Sequence, residues 1–303
     1  MGRSPAGLAL LRKPAGITSF QALGAVKRAL KIKRVGHAGT LDRFASGLLI
    51  VLAGSYCRLA AYAEAGEKLY RGTIAFGTET KTLDPEGEVV AEAPRPSRAD
   101  LESVLPLFLG SILQRPPLFS AVHLDGRRAY ERARSGEEPE MPERRVEVRE
   151  LVLESYEDGA ARIRVRCSPG TYIRSLARDL ALACGSRAHL VELERLAIGP
   201  YGVDEACDPE AFDPGRDLRK IDSRAASGLG LQSLEIDAAD VQPFLNGAAL
   251  APASFKAISA VSSGVGSAAA VFDPAGELLG IVEFQGQRLS YRAVLGGRET
   301  AQS

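Results

Sequence analysis

Gly36-His37-Ala38-Gly39-Thr40-Leu41-Asp42-Arg43-Phe44-Ala45-Ser46-Gly47 runs straight into Leu48-Leu49-Ile50-Val51-Leu52, a glycine-rich loop feeding a continuous apolar run. The run is far too short to cross a bilayer and ends near Gly54, which suits a buried strand. The glycines let the loop take positive φ or approach a ligand closely. Asp42 is the only carboxylate in the first 63 residues. On local pattern alone, an Asp in such a loop is more often a turn or cap residue than a functional one. Its neighbourhood is what sets it apart.

Upstream, residues 18–30 read as a helix. Thr18 and Gln21 fit a capping box, and Leu23, Val26 and Leu30 recur at helical spacing. The opposite face and the exit carry Lys27, Arg28, Lys31, Lys33 and Arg34. Downstream, residues 70–76 read as a strand. Ser97 with Asp100 opens another helix that Pro106 bends or ends. Residues 110–145 are rich in loop formers. Residues 146–156 and 161–167 read as strands, the second alternating Ile163, Val165 and Cys167 with Arg162, Arg164 and Arg166. Residues 173–184 form a helix closed by Gly185. Strands and helices mix without a βαβ rhythm, so the expected class is α+β, with a mixed or antiparallel central sheet and flanking helices. Residues 200–235 lack apolar periodicity and are expected to be a linker. Beyond them, strands at 268–272, 278–284 and 288–295, with turns at 273–276 and 285–287, make a small β module. The expected domains are 1–235 and 236–303.

The composition sets limits. With 303 residues, 45% hydrophobic, 25% charged and 38 basic against 38 acidic side chains, the chain is neither disordered, collagen-like nor supercharged. Residues 1–50 hold nine basic side chains and one acid, a net +8, which leaves −8 on the remainder. A basic end on a neutral protein attracts a polyanion locally, although a charge cluster by itself fits a solvated helix face equally well. The brief apolar stretch 8–11 lacks a cleavage pattern, and Ala6 stands where a myristoylation motif wants Ser or Thr. The expectation is a soluble, cytoplasmic protein. Cys57, Cys167, Cys184 and Cys207 form no C-x-x-C pair and His37, His123 and His189 are scattered, so reduced thiols and no metal site are expected. P-loop and G-x-S-x-G patterns are absent. Gly264-Val265-Gly266-Ser267-Ala268-Ala269 mimics a dinucleotide fingerprint, but too little chain follows for a Rossmann unit, and a flexible turn is expected.

Several segments together resemble the TruB family of tRNA pseudouridine synthases. Lys13-Pro14-Ala15-Gly16-Ile17-Thr18-Ser19 matches a K-P-x-G-x-T-S opening, and the stretch from Gly36 to Gly47 matches G-H-x-G-x-L-D-x-x-A-[ST]-G. Lys68-Leu69-Tyr70 is similar to K-x-Y, with Thr80, Thr82, Asp84 and Gly87 beyond it. Gln114, Pro116-Pro117, Ser120-Ala121 and Gly126 follow, then Gly170-Thr171-Tyr172-Ile173-Arg174 as G-T-Y-I-R, and Ala188-His189 with Leu193. The ordered set spans about residues 10–200. The carboxy-terminal module is loosely similar to a PUA-type RNA-binding domain.

The resemblance implies isomerisation of the T-loop uridine of tRNA, at position 55, to pseudouridine. That reaction oxidises and hydrolyses nothing, so no cofactor or metal is expected, and no obligate protein partner is implied. Asp42 would be the essential carboxylate, as nucleophile or base, with Arg174 paired to it. Tyr70 and Tyr172 would contact the extruded uracil, Tyr70 also serving proton transfer at C5, with Leu193 beside the base. His37 would occupy the space the flipped base leaves, and Asp84 and Lys13 would touch the site. Lys27, Arg28, Lys31, Lys33 and Arg34 would neutralise T-arm phosphates. From residue chemistry alone, core packing stays open for the tyrosines and Leu193, a surface salt bridge for Arg174 and a turn role for Asp84. Two other functions also stay open: an RNA-binding or tRNA-folding protein on the same scaffold with little catalysis, and a small-molecule enzyme with an Asp nucleophile. The chain departs from the family pattern at Arg43, Phe44, Lys81, Arg12 and His123, and Arg43 is near enough in sequence to compete with Arg174 for Asp42 or to add a phosphate contact.

Overall fold

The computed structural model describes residues 5–120, 122–124, 127–128, 132, 137, 139–257, 268–285 and 288–295. Its central sheet contains β1 (Gly7–Lys13), β2 (Val35–Ala38), β3 (Ser46–Ala53), β4 (Lys68–Phe76), β5 (Gly110–Gln114), β6 (Arg144–Glu157), β7 (Ala160–Cys167), β8 (Ala188–Ile198) and β9 (Tyr201–Gly202). The order is β1-β3-β8-β4-β7-β6-β5, with β2 also on β3 and β9 on β8. Neighbours are antiparallel except at the β3–β8 junction, where Glu194 and Arg195 lie parallel to Ser46 and Gly47. The α+β class and the mixed sheet are as expected. This junction joins two differently covered halves.

In the β1–β3 half, α1 (Ser19–Leu30) starts at Thr18, whose side chain accepts from the Gln21 amide while Gln21 reaches back to the Thr18 amide. It buries Ala22, Leu23, Val26 and Leu30 against Ala9, Leu11, Leu49 and Val51. The alternate residues Leu8, Leu10, Leu48, Ile50 and Leu52 face the other way, as the period of two requires. They share a core with Ala270, Phe272, Ile281 and Ala293 of the carboxy-terminal sheet. In the other half, α3 (Ile173–Ala183) lays Leu176, Ala177 and Leu180 on Ile74, Ile163 and Val165, and α2 (Arg98–Val104) adds Leu101.

The second sheet runs β11-β10-β12-β13-β14, from β10 (Gln232–Ile236), β11 (Phe255–Ala257), β12 (Ala268–Phe272), β13 (Leu278–Gln285) and β14 (Arg288–Val294). It therefore begins at Gln232, ahead of the boundary expected at 235. The expected linker is also corrected. Residues 203–221 pack along the edge of β1, with Arg219 and Leu8 exchanging backbone hydrogen bonds of 2.7 and 2.8 Å and Cys207 bonding Leu10 and Arg12, and the short helix at 223–228 packs on the second sheet. Phe212, Ile221 and Leu229 are buried. An irregular segment with few apolar residues can still cover a sheet edge through its backbone, which has no periodicity to read. Of the fingerprint-like stretch at 264–269, residues 264–267 lie outside the described residues, as do Ala121, Gly126 and residues 286–287 of the second turn. No helix among the described residues is long and apolar enough to cross a membrane.

Candidate active site

The mixed junction fixes the catalytic-type loop. Gly47 has φ +106°, and a Cβ there would sit 2.3 Å from the Arg195 carbonyl oxygen and 2.6 Å from its nitrogen, so β3 and β8 close only around a glycine. Arg195, 1% exposed, then turns back through the loop, donating from Nε to the Leu48 carbonyl (2.8 Å) and from Nη2 to the Gly39 carbonyl (2.9 Å). On the other flank, Ser19 Oγ accepts from the Leu41 amide (2.9 Å) and donates to its carbonyl (3.1 Å). Asp42 follows directly, held from both sides. The first residues expected in this loop, Gly36 to Ala38, are instead strand β2, paired with residues 50–53 of β3.

Asp42 meets Arg174 of α3. Arg174 Nε lies 2.9 Å from Oδ2, and Nη2 donates to Oδ1 at 3.0 Å. The guanidinium, 4% exposed, also donates from Nη1 to Asp84 Oδ2 (3.1 Å) and the Thr82 carbonyl (2.8 Å), and from Nη2 to the Phe119 carbonyl (3.1 Å). Asp84 is buried too, accepting from Thr82 Oγ1 and the Glu86 amide. One cation thus serves two carboxylates. Burial pushes the Asp42 carboxyl above its ordinary range, Arg174 pulls it back, and the negative charge of Asp84 pushes it up again.

Asp42 and Arg174 line a cleft of about 190 Å³ with Tyr70, Tyr172, Leu193, Ser120, Lys68 and Arg195. Tyr70 is nearly buried on β4, and its hydroxyl is pushed up by burial, against the pull of Arg195. Tyr172 precedes α3 and has its backbone clamped by the Gln114 carboxamide, which accepts from the Tyr172 amide (2.8 Å) and donates to its carbonyl (3.1 Å). Asp42, Arg174, Tyr70, Tyr172 and Leu193 are therefore brought together, with Asp84 behind them. Lys13 is placed differently. It is fully buried outside the cleft lining and donates to the carbonyls of Pro14 (3.0 Å), Ile17 (2.7 Å) and Arg43 (3.4 Å), so it braces the loop. Burial lowers its pKa to about 8. His37 also lies off the cleft lining, on β2, with a buried Nδ1 that has no hydrogen-bond partner among the described residues. Burial and Arg195 lower its pKa. Of the basic side chains of α1, Arg28 is held by Glu210 (2.9 and 3.0 Å), and Lys27 sits 4.5 Å above the exposed Phe20 ring. Lys31, Lys33 and Arg34 are exposed at the helix exit. Among the described residues, no group of three or more His, Cys, Asp or Glu side chains is arranged to hold a metal ion.

Residues 27–173 match the model of the TruB family pseudouridylate synthase N-terminal domain. A tRNA pseudouridine synthase B of Treponema denticola is 44% identical over 253 residues, covering 77% of this chain and 69% of that protein. One from Bordetella avium is 43% identical, covering 68% and 86%. The chain belongs to the TruB family. A solved Cbf5–Nop10–Gar1 complex shares the fold, with TM-score 0.71 and 24% identity over 97% of this chain and 86% of that one. An archaeal box H/ACA Nop10–Cbf5 complex does likewise, at 0.70 and 21% over 97% and 87%.

In this TruB family member, Arg43 does not compete with Arg174 for Asp42. Arg43 Nε donates to the Gly16 carbonyl (2.9 Å) and lies 3.9 Å from Glu86, turned away from Asp42. Arg195 and Gln114 are the site residues whose roles sequence reasoning missed. Gln114 belongs to one of the matched segments, which by itself assigns it no task. Arg195 stands two residues beyond Leu193, but the broken alternation of β8 leaves no sequence signal that would place it.

Proposed function

We propose that this chain isomerises the T-loop uridine of tRNA, at position 55, to pseudouridine, with Asp42 as the essential carboxylate. The observation that carries this is the contact of Asp42 with the buried Arg174 inside a cleft walled by Tyr70, Tyr172 and Leu193. The reaction breaks C1′–N1, turns the ring and forms C1′–C5. C5 loses a proton and N1 gains one, so no atom is added or lost. Arg174 opposes the protonation that desolvation favours at Asp42 and fixes its orientation for attack on the sugar or removal of a sugar proton. A cleft this narrow takes the nucleoside only when it is swung out of the RNA stack, where Tyr172 and Leu193 would hold the ring and Tyr70 would serve the proton transfer at C5. Lys27, Arg28, Lys31, Lys33 and Arg34 would offer charge to the T-arm backbone, Arg28 on release from Glu210. His37 would touch the RNA near the vacated stack, and Lys13 and Asp84 act by holding the loop and Arg174. The expected setting is the cytoplasm, with tRNA as partner and no cofactor. Incubation with an unmodified tRNA transcript, followed by carbodiimide labelling and mapping, tests this: one new adduct at the T-loop uridine is expected, and none under saturating enzyme would leave only an RNA-binding scaffold.

A further inference from the structure

Lys68 lines the same cleft, and the reaction as described gives it no task. It stands two residues before Tyr70 on β4, so both side chains leave the same face of the strand. It is 5% exposed and borders the cleft with Glu64, Tyr70 and Arg195. An ammonium has three donors. Among the described residues, the only acceptor in hydrogen-bond range of the Lys68 ammonium is the Glu64 carbonyl. Lys13 provides the contrast, since it is just as buried but outside the cleft lining, with three carbonyls around it. Lys13 is a completed structural cation, whereas Lys68 keeps two donors unspent beside a cavity. A buried donor without a partner is costly, and a ligand oxygen that supplies one removes that cost.

Building on the pseudouridine reading, we propose that Lys68 is a catalytic residue whose ammonium donates a hydrogen bond to a carbonyl oxygen of the uracil ring and stabilises the ring anion formed when the glycosidic bond opens. The C1′–N1 electron pair leaves with the ring and spreads onto its carbonyl oxygens. A pair at C5 then bonds C1′, C5 gives up its proton and N1 takes one up, while Lys68 stays protonated throughout. Its contribution is a fixed charge where negative charge develops. The charged and titratable groups facing Lys68 are Arg195 on β8, Glu64 of the short helix Ala60–Glu64 and Cys167 on β7. Burial and Arg195 lower its pKa to about 8, with Glu64 and Cys167 opposing.

The test is single-turnover pseudouridine formation by the full chain on an unmodified tRNA transcript, with tRNA binding and thermal unfolding measured in parallel. Lys68→Met is expected to slow the reaction about 100-fold or more with tRNA affinity unchanged. The wild-type rate should fall as pH rises through about 8, because the neutral amine carries no charge. Lys68→Arg, which keeps its charge, should move that alkaline limb to higher pH, and this also decides the matter if Lys68→Met folds poorly. A Lys68→Met variant as fast as wild type, or an alkaline limb unmoved in Lys68→Arg, overturns the assignment of Lys68 alone. A wild-type chain that makes no pseudouridine overturns the isomerase reading and this proposal with it.

Discussion

Strands β4, β6 and β7 carry outward-facing arginines paired with carboxylates, and the cleft on the opposite side of the same sheet holds Arg174 with Asp42, Asp84 lying behind them. Outside, Arg71 meets Glu154 (3.0 Å), Arg164 meets Glu150 (2.9 Å) and Arg166 meets Glu67 (3.0 Å), all partly in water. The distances match those around Arg174, yet the consequences differ. Water screens the outer pairs, so each adds little to stability and any one can be lost. In the cleft, desolvation makes every charge depend on its partner. Geometry alone therefore does not mark a functional ion pair; burial beside a cavity does.

Breaking the inner set should show the contrast most sharply. Arg174→Met leaves two carboxylates without their cation and is expected to cost about 3–5 kcal/mol in denaturant unfolding and to abolish product. A loss no larger than that of an outer pair would erase the distinction. Gly47→Ala tests the frame that brings the loop to Arg174. A positive φ with a side chain costs roughly 1–3 kcal/mol, and the collision with the Arg195 backbone adds to it, so lower thermal stability and a slower reaction are expected together. The pH profile refines the comparison. Asp42 acts ionised and its carboxyl is pushed up by burial, so as pH falls the rate should decline before an ordinary carboxylate would protonate. An acid limb at the usual carboxylate position would mean the cleft does not desolvate Asp42. The smallest effect belongs outside. Arg164→Ala should change stability by at most about 1 kcal/mol, less in high salt, with the rate untouched.

Much of this contrast was legible in the sequence. Ile163, Val165 and Cys167 alternating with three arginines announced a strand with a wet face, and β7 has that form. The Thr18–Gln21 box and Gly185 marked the ends of α1 and α3 because caps are local chemistry. Strand β8 was not legible: register shifts between Leu190 and Glu192 and between Arg195 and Ala197 break its alternation, leaving leucines at spacings that also suit a helix. Without β8, neither the parallel junction nor the place of Arg195 follows from the sequence. Resemblance to the family joined Asp42 to Arg174 across 132 residues, whereas the inward turn of Lys13 onto carbonyls depended on where its own loop folds.

The most direct measurement is Asp42→Asn in single turnover on unmodified tRNA, with binding followed in the same samples. Full tRNA affinity with no detectable pseudouridine is the expected result, because the amide keeps the shape of the side chain but loses its charge and one of the two acceptor oxygens that face Arg174. Pseudouridine formed at the wild-type rate by that variant would contradict the account at its centre.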